Sequence, residues 1–319
     1  MLSNCMHNTP AEDQSTRNAT RRAPFNSRST AEDVLRGIDL SGKTVLLTGC
    51  NSGLGFETLR VLTEHGAHVL AAARNLETAK KACARVGGNT TPLACDLGDL
   101  SSVKEAIGNV LASGRQVDRV IANAGIMALP RLEQLYGLEK QFVVNYLGHF
   151  MLVTGVLGAI PRNAGARIVI VSSSAHTRAP KVGIELDNLS GERDYEGWRA
   201  YGQSNVARIL FTRSLARRLK DSRITVNTLH PGVITDTNLA RNLGWFMRSL
   251  APVARLFTKS IPQGAATQCY LAAHPDVENV TGQYFSDCKV AETSRAAQDD
   301  ALGERLWTTS EQLVASYVG

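Results

Sequence analysis

No stretch of this 319-residue chain approaches the roughly 18 uninterrupted apolar residues that a membrane-spanning helix needs. Nor does the chain open with a charged start followed by an apolar run, the pattern of a secretory signal. The six cysteines (Cys5, Cys50, Cys83, Cys95, Cys269 and Cys288) are widely spaced, with no C-x-x-C pair and no His-linked cluster. That spacing argues against a disulfide framework or a metal site and reads as reduced thiols. No internal repeat is visible, and no charge dominates: 35 Lys and Arg are scattered among 29 Asp and Glu, a net charge of +6. Without a basic run and interleaved aromatics, the balance suits an anionic cofactor better than a nucleic-acid surface. These absences lead us to expect a soluble, cytoplasmic protein acting on a small molecule.

At 43% hydrophobic and 20% charged, the chain can bury a substantial core, and we expect one domain over residues 31–319. Residues 1–30, rich in Asn, Ser, Thr, Arg and Pro and without a period, read as a flexible tail. Glu12 and Asp13 count against a transit peptide there.

From Lys43 onward, short apolar runs alternate with amphipathic stretches. Strands are predicted at Thr44–Thr48, Ala67–Ala73, Thr91–Ala94, Arg119–Ala122, Arg167–Ser172, Arg223–Leu229 and near Gln283–Ser286. Their unbroken Val, Ile and Leu content suits strands buried on both faces of a parallel sheet. Helices are predicted at Gly53–His65, Leu76–Val86, Ser101–Ala112, Leu135–Ile160, Arg199–Leu219 and Gln263–Ala273. The alternation implies an α/β fold of Rossmann type, a doubly wound parallel sheet with helices on both faces. Ligands on such sheets bind at the carboxyl ends of strands, so the loops that follow strands are where chemistry belongs.

Thr48-Gly49-Cys50-Asn51-Ser52-Gly53-Leu54-Gly55 follows the first strand and opens the first helix. Its glycines let the backbone approach a pyrophosphate at a helix N-terminus, although a glycine-rich turn can also be purely structural. The second strand ends at Arg74, where an NAD-selective site would carry an acid. An arginine there can pair with a 2′-phosphate, which favours NADP(H) over NAD(H), or it is a solvated surface residue. Asp96 and Leu97 follow the third strand, and Asp96 could meet an adenine amino group or cap a helix. Asn123-Ala124-Gly125 ends the fourth strand with small residues, either beside a cofactor or in an ordinary turn. Asn145 lies in an otherwise apolar helix, where a polar group must find partners. It could tie the helix to a loop or hold a water. Ser172-Ser173-Ser174 ends the fifth strand in hydroxyls, and Tyr201-Gly-Gln-Ser-Asn205 opens the face of a long helix.

In this order, these pieces resemble the short-chain dehydrogenase/reductase family over roughly residues 40–290. The echo is strongest for its retinol dehydrogenase branch, through Asn51-Ser-Gly-Leu-Gly-Phe56, Val171-Ser-Ser-Ser-Ala-His176, Asn145-Tyr-Leu-Gly-His-Phe150, His230-Pro-Gly232 and Thr281-Gly-Gln-Tyr-Phe-Ser-Asp-Cys-Lys289. The resemblance implies that Gly49, Asn51, Ser52, Gly53, Leu54 and Gly55 cradle cofactor phosphates, with Asp96 and Leu97 at the adenine and Asn123, Ala124 and Gly125 beside the nicotinamide ribose. Pro231, Gly232 and Val233 would complete the nicotinamide pocket. Ser173 would polarise a substrate oxygen, Tyr201 would be the acid/base, and Asn145 would support a relay water. It also allows a homo-oligomer through the helices near 135–160 and 199–219.

Two positions depart from the family pattern. Asp236 stands where a threonine is usual, between Thr235 and Thr237, and Asn205 stands where the family's Tyr-x-x-x-Lys motif carries its lysine. A phenol, with an unperturbed pKa of about 10, shuttles protons poorly at neutral pH unless a positive charge favours its ionised form. Residues at i and i+4 share a helix face, so a lysine at 205 would sit beside Tyr201; asparagine keeps the hydrogen bonding and loses the charge. The sequence therefore leads us to expect weak, alkaline-shifted activity, or a cofactor-binding protein or inactivated variant that no longer turns over. By helical offset, Arg178, Lys181 and Arg208 do not look placed to substitute. Residues 238–259 include Leu243-Gly-Trp-Phe-Met-Arg-Ser-Leu250 and the basic Arg241, Arg248, Arg255 and Lys259. We expect a lid at about 233–262 over a lipophilic carbonyl or alcohol. The same composition would suit contact with a membrane surface or a helix packed on the core.

Overall fold

The computed structural model describes residues 25–234 and 258–318. The tail before residue 25, and of the lid Thr235, Asp236, Thr237, Arg241, Arg248 and Arg255, lie outside the described residues. Ten strands appear: β1 Thr44–Thr48, β2 His68–Ala73, β3 Thr90–Ala94, β4 Arg119–Ala122, β5 Gln134–Leu135, β6 Leu138–Glu139, β7 Arg167–Val171, β8 Thr225–His230, β9 Tyr284–Ser286 and β10 Lys289–Val290. The main sheet has the order β10-β9-β8-β7-β4-β1-β2-β3. Every pairing is parallel except β10 against β9. Successive side chains of a strand point to opposite faces, and here both faces are buried. Leu46, Ile168 and Ile170 enter one apolar core, whereas Val45, Leu47, Val169 and Val171 enter the other.

The first core lies under α4 (Leu100–Ala112), α5 (Gly148–Gly155), α6 (Gly197–Arg218) and α8 (Asp300–Val318), and the second under α1 (Ala31–Leu35), α2 (Gly53–Glu64), α3 (Leu76–Val86) and α7 (Ile261–Ala273). The family of α/β folds with helices on both faces of a mostly parallel sheet is the Rossmann type. The winding reverses beside β1, whose neighbours are β2 on one side and β4 on the other. The loops leaving β1 and β4 therefore diverge and open a crevice at the carboxyl edge.

Three features differ from the sequence expectation. The single helix predicted over Leu135–Ile160 is instead a hairpin, β5-β6, followed by a π-helical segment at Phe142–Leu147, then α5 and a short 3-10 turn. The hairpin turns on Tyr136 and Gly137, at φ 57° and 71°, the two positive dihedrals of a tight two-residue loop. Residues 25–30, counted with the tail, are engaged: the Phe25 ring meets Tyr270 edge-on at 5.6 Å and Thr30 caps α1. Lys259, grouped with the basic residues of the lid, is half-buried over Gly232 and paired with Asp287 at 2.5 Å.

Helix α8, which carried no prediction, covers α6. Trp307 sits 5.0 Å from Phe150 and 5.8 Å from Phe211 between ring centroids, beneath the Arg218 guanidinium. Arg213 and Arg217 pair with Asp300, and Arg217 and Arg218 with Glu304. This face of α6 is thus occupied within the chain. Among the described residues no helix is long and apolar enough to cross a membrane. Trp307→Ala should cost about 3–5 kcal/mol, the usual loss for a buried aromatic, read from urea unfolding. A loss below about 1 kcal/mol would mean that α8 contributes little to the core.

Candidate active site

The carboxyl edge is assembled around Thr48, the last residue of β1. Its hydroxyl accepts from the backbone N–H groups of Asn123 (2.9 Å) and Ala124 (3.1 Å) and meets His149 Nε2 at 2.9 Å, while Asn123 Nδ2 donates to the Thr48 carbonyl at 2.9 Å. These bonds lock the turn after β1 to the loop after β4. In that turn, Gly49 and Gly53 have φ of 70° and 53°, a region unfavourable for residues with a Cβ. A methyl group at Gly49 would stand 3.0 Å from Ala124, and one at Gly55 would collide with the Gly49 carbonyl oxygen and lie 2.6 Å from Asn123 Nδ2.

Ser52 occupies the N-cap of α2 and its side chain makes no capping bond. The first N–H groups of a helix lack intrahelical partners, and here they open toward the glycine turn, where an anion can be received. Arg74, just past β2, is exposed and has no ion-pair or hydrogen-bond partner among the described residues. Asp96 accepts the Gly98 N–H on one carboxylate oxygen at 2.9 Å, and Leu97 buries its side chain in the core. Pro231, Gly232 and Val233 leave β8, with Gly232 at φ 97° under the Lys259 stem. Asn51 is exposed on the turn.

The reactive side is built on β7 and α6. Ser173 is half-buried, and its hydroxyl accepts from the Ala175 N–H at 3.2 Å. A methyl group at Gly202 would stand 2.6 Å from Ala179 N and 2.7 Å from the Ala175 carbonyl. The helix carrying Tyr201 is therefore pressed directly on the turn that Ser173 opens. Tyr201 is half-buried, its ring edge-on to Trp198 at 6.1 Å, and among the described residues its hydroxyl has no hydrogen-bond partner.

Asn145 makes the tie to a neighbouring loop: its amide accepts from Ile126 N at 2.8 Å and donates to the Ile126 carbonyl at 2.9 Å and to Ser204 Oγ at 3.0 Å. It lies in the π-helical segment, where Gly148 N–H reaches back five residues to Val143. Such widened turns are frequent at functional sites. Asn205 is fully buried and folded away: its amide donates to the Tyr201 carbonyl at 2.8 Å, and Ser172 Oγ approaches its two oxygens at 3.2 and 3.3 Å.

Sequence reasoning passed over Arg208 on grounds of helical offset, and the structure shows where its side chain ends. Its guanidinium is buried in the site, donating to the carbonyls of Asn145 (2.6 Å), Val171 (2.7 Å) and Ala124 (2.5 Å). Side chains on a helix lean toward its N-terminus, so this residue reaches back under Asn205. The signal was present as a long cation on the Tyr201 face. Burial lowers its pKa to about 10, which leaves it charged at neutral pH. His149 was also overlooked; burial, helped by Arg208, pushes it down to about 3, and its Nδ1 holds the Asn145 carbonyl at 2.9 Å. His230 is pushed down to about 4, by burial first and then by Lys259. Five cysteines, Cys50, Cys83, Cys95, Cys269 and Cys288, are free and buried, and among the described residues no group of His, Cys, Asp and Glu could hold a metal.

A doubly wound sheet with a glycine turn at the head of its first sheet-following helix is the architecture of the α/β oxidoreductases. The family model described as short chain dehydrogenase matches residues 43–245, and the chain belongs to that family, whose members bind nicotinamide cofactors. It is 40% identical over 307 residues to the Short-chain dehydrogenase TIC 32 B, chloroplastic, of Brassica napus, covering 92% of this chain and 96% of that protein. It is 38% identical over 297 residues to Retinol dehydrogenase 14 of Homo sapiens, covering 86% and 87%. Among solved structures, an uncharacterized protein from Mycobacterium Paratuberculosis is similar at a TM-score of 0.71 and 31% identity, covering 90% of this chain and 97% of that one.

Two outcomes follow. Gly55→Ala should weaken NADPH binding at least tenfold, by fluorescence titration, because the added methyl has no room. Undiminished binding would show that the turn is not the phosphate cradle. Histidines held below their unfolded value, near 6.5, give stability that is complete above that value and is lost as pH falls toward the folded one. His149 and His230 should therefore each remove about 1 kcal/mol per pH unit between pH 6.5 and 5, read as falling urea midpoints. A flat profile would contradict their neutral burial.

Proposed function

We propose that the protein is an NADP(H)-dependent oxidoreductase that interconverts a carbonyl and an alcohol on a lipophilic substrate. The observation that carries this reading is the placement of Tyr201, with its hydroxyl uncommitted, against the turn begun by Ser173 at the carboxyl edge of a sheet whose first turn suits a pyrophosphate. Gly49, Asn51, Ser52, Gly53, Leu54 and Gly55 would hold the pyrophosphate by backbone and helix dipole. Unpaired Arg74 would meet a 2′-phosphate, for which its planar fork is suited. Asp96 and Leu97 would border the adenine, with Asn123, Ala124, Gly125, Pro231, Gly232 and Val233 along the nicotinamide half.

When bound, the nicotinamide supplies or accepts the hydride at the substrate carbon. In the reducing direction Tyr201 gives its hydroxyl proton to the substrate oxygen and is reprotonated from solvent; in the oxidising direction it takes that proton. Ser173 donates a hydrogen bond to the same oxygen as its charge develops. Asn145 holds the loop after β4 in register with α6 through Ile126 and Ser204. The apolar Leu243–Leu250 stretch and the similarity to a protein named as a retinol dehydrogenase support a hydrophobic substrate.

Tyr201→Phe should abolish turnover against a panel of hydrophobic carbonyls, a loss of at least 1,000-fold in kcat, with NADPH affinity within about threefold of the native chain. Arg74→Ala should cut the preference for NADPH over NADH at least tenfold in kcat/KM. NADPH binding without turnover by the native chain would instead mark a cofactor-binding protein.

A further inference from the structure

We infer that Arg208 is the positioning residue that supplies, from further along α6, the positive charge absent at position 205. The inference rests on the oxidoreductase reading above. Three observations carry it. Asn205 is turned onto the Tyr201 carbonyl and Ser172 and offers no charge. The Arg208 guanidinium, which shares an electrostatic interaction with Tyr201, joins three segments: the loop after β4 through Ala124, the π-helical segment through Asn145, and the end of β7 through Val171, two residues before Ser173. A methyl group at Gly125 would stand 3.2 Å from both Arg208 Nη2 and Asn145 Oδ1, so the charge lies immediately behind the loop that faces the nicotinamide half.

Arg208 and Tyr201 are seven residues apart and share a face of α6, separated by about 10.5 Å of helix rise. The N-terminal lean of the arginine side chain shortens that gap. The charge has no carboxylate partner among the described residues, so its field is not cancelled locally and acts through a water-poor interior. The titratable groups facing it are Tyr201 on its own helix and His149 on α5; β7, the loop after β4 and the π-helical segment present carbonyls. The proton path is unchanged, and Arg208 neither gives nor takes the proton. It favours the state in which Tyr201 has released its proton to the substrate oxygen. A lysine introduced at 205 would add a second buried cation within one helical turn of the first.

Four chains would be compared, native, Asn205→Lys, Arg208→Gln and the double variant, with Arg208→Lys as the conservative control. Each is assayed for kcat across pH and for NADPH binding by fluorescence. Asn205→Lys alone should give no gain in kcat, or a loss. Arg208→Gln should lower kcat at pH 7 at least 100-fold and move the rate profile alkaline by a unit or more. Adding Asn205→Lys to Arg208→Gln should restore at least tenfold, and Arg208→Lys should retain more activity than Arg208→Gln. A tenfold or greater rise on Asn205→Lys in the native background would overturn the inference, and this arm decides the matter even if Arg208→Gln does not fold. So would a folded Arg208→Gln chain with kcat within threefold and an unshifted profile. Failure of the oxidoreductase reading shows separately, as absence of NADPH binding by the native chain, and would remove both.

Discussion

A single guanidinium, that of Arg208, joins three chain segments at the carboxyl edge of the sheet: the loop after β4, the π-helical segment before α5 and the end of β7. Taking a charge out of water costs several kcal/mol, and here carbonyl dipoles rather than a carboxylate offset that cost. Each of those carbonyls, left unpartnered in the interior, would cost about 1–3 kcal/mol. The charge and the carbonyls therefore require one another. The positions of Asn145, Ala124 and Val171, and through them of α6, depend on this arrangement.

Around it, the site separates into two halves with different physical demands. The cofactor half is backbone: glycines at positive φ, an uncapped helix and a turn locked to its neighbour by the Thr48 hydroxyl. It calls for close approach more than for particular side chains. The proposed reactive half would be side chain: Tyr201 and Ser173, where one charge more or less would alter proton transfer.

The fold was largely legible in the sequence, because strands buried on both faces must be apolar without alternation, and β1, β4 and β7 are. The glycine turn and Tyr201 were legible for the same reason: their chemistry is local. The segment over residues 135–160 was misread as one helix, since an apolar run has the same composition whether it forms an α turn, a π turn or a hairpin. Tyr136-Gly137 was its only local mark. Helix α8 was missed although its Leu302, Leu306 and Val314 are buried, because its amphipathic pattern follows the last recognised motif.

The order of residues alone determined that this chain would fold as a doubly wound sheet and carry a phosphate-suited turn, a serine just past a strand end and a tyrosine on a long helix. Those features follow from short-range periodicity and from residue types with few conformational alternatives. Only the tertiary structure decided where the Arg208 guanidinium ends. Spacing along a helix gives the face a side chain leaves from, but where a long arginine ends depends on which carbonyls, contributed by segments 37 to 84 residues away, are there to receive it.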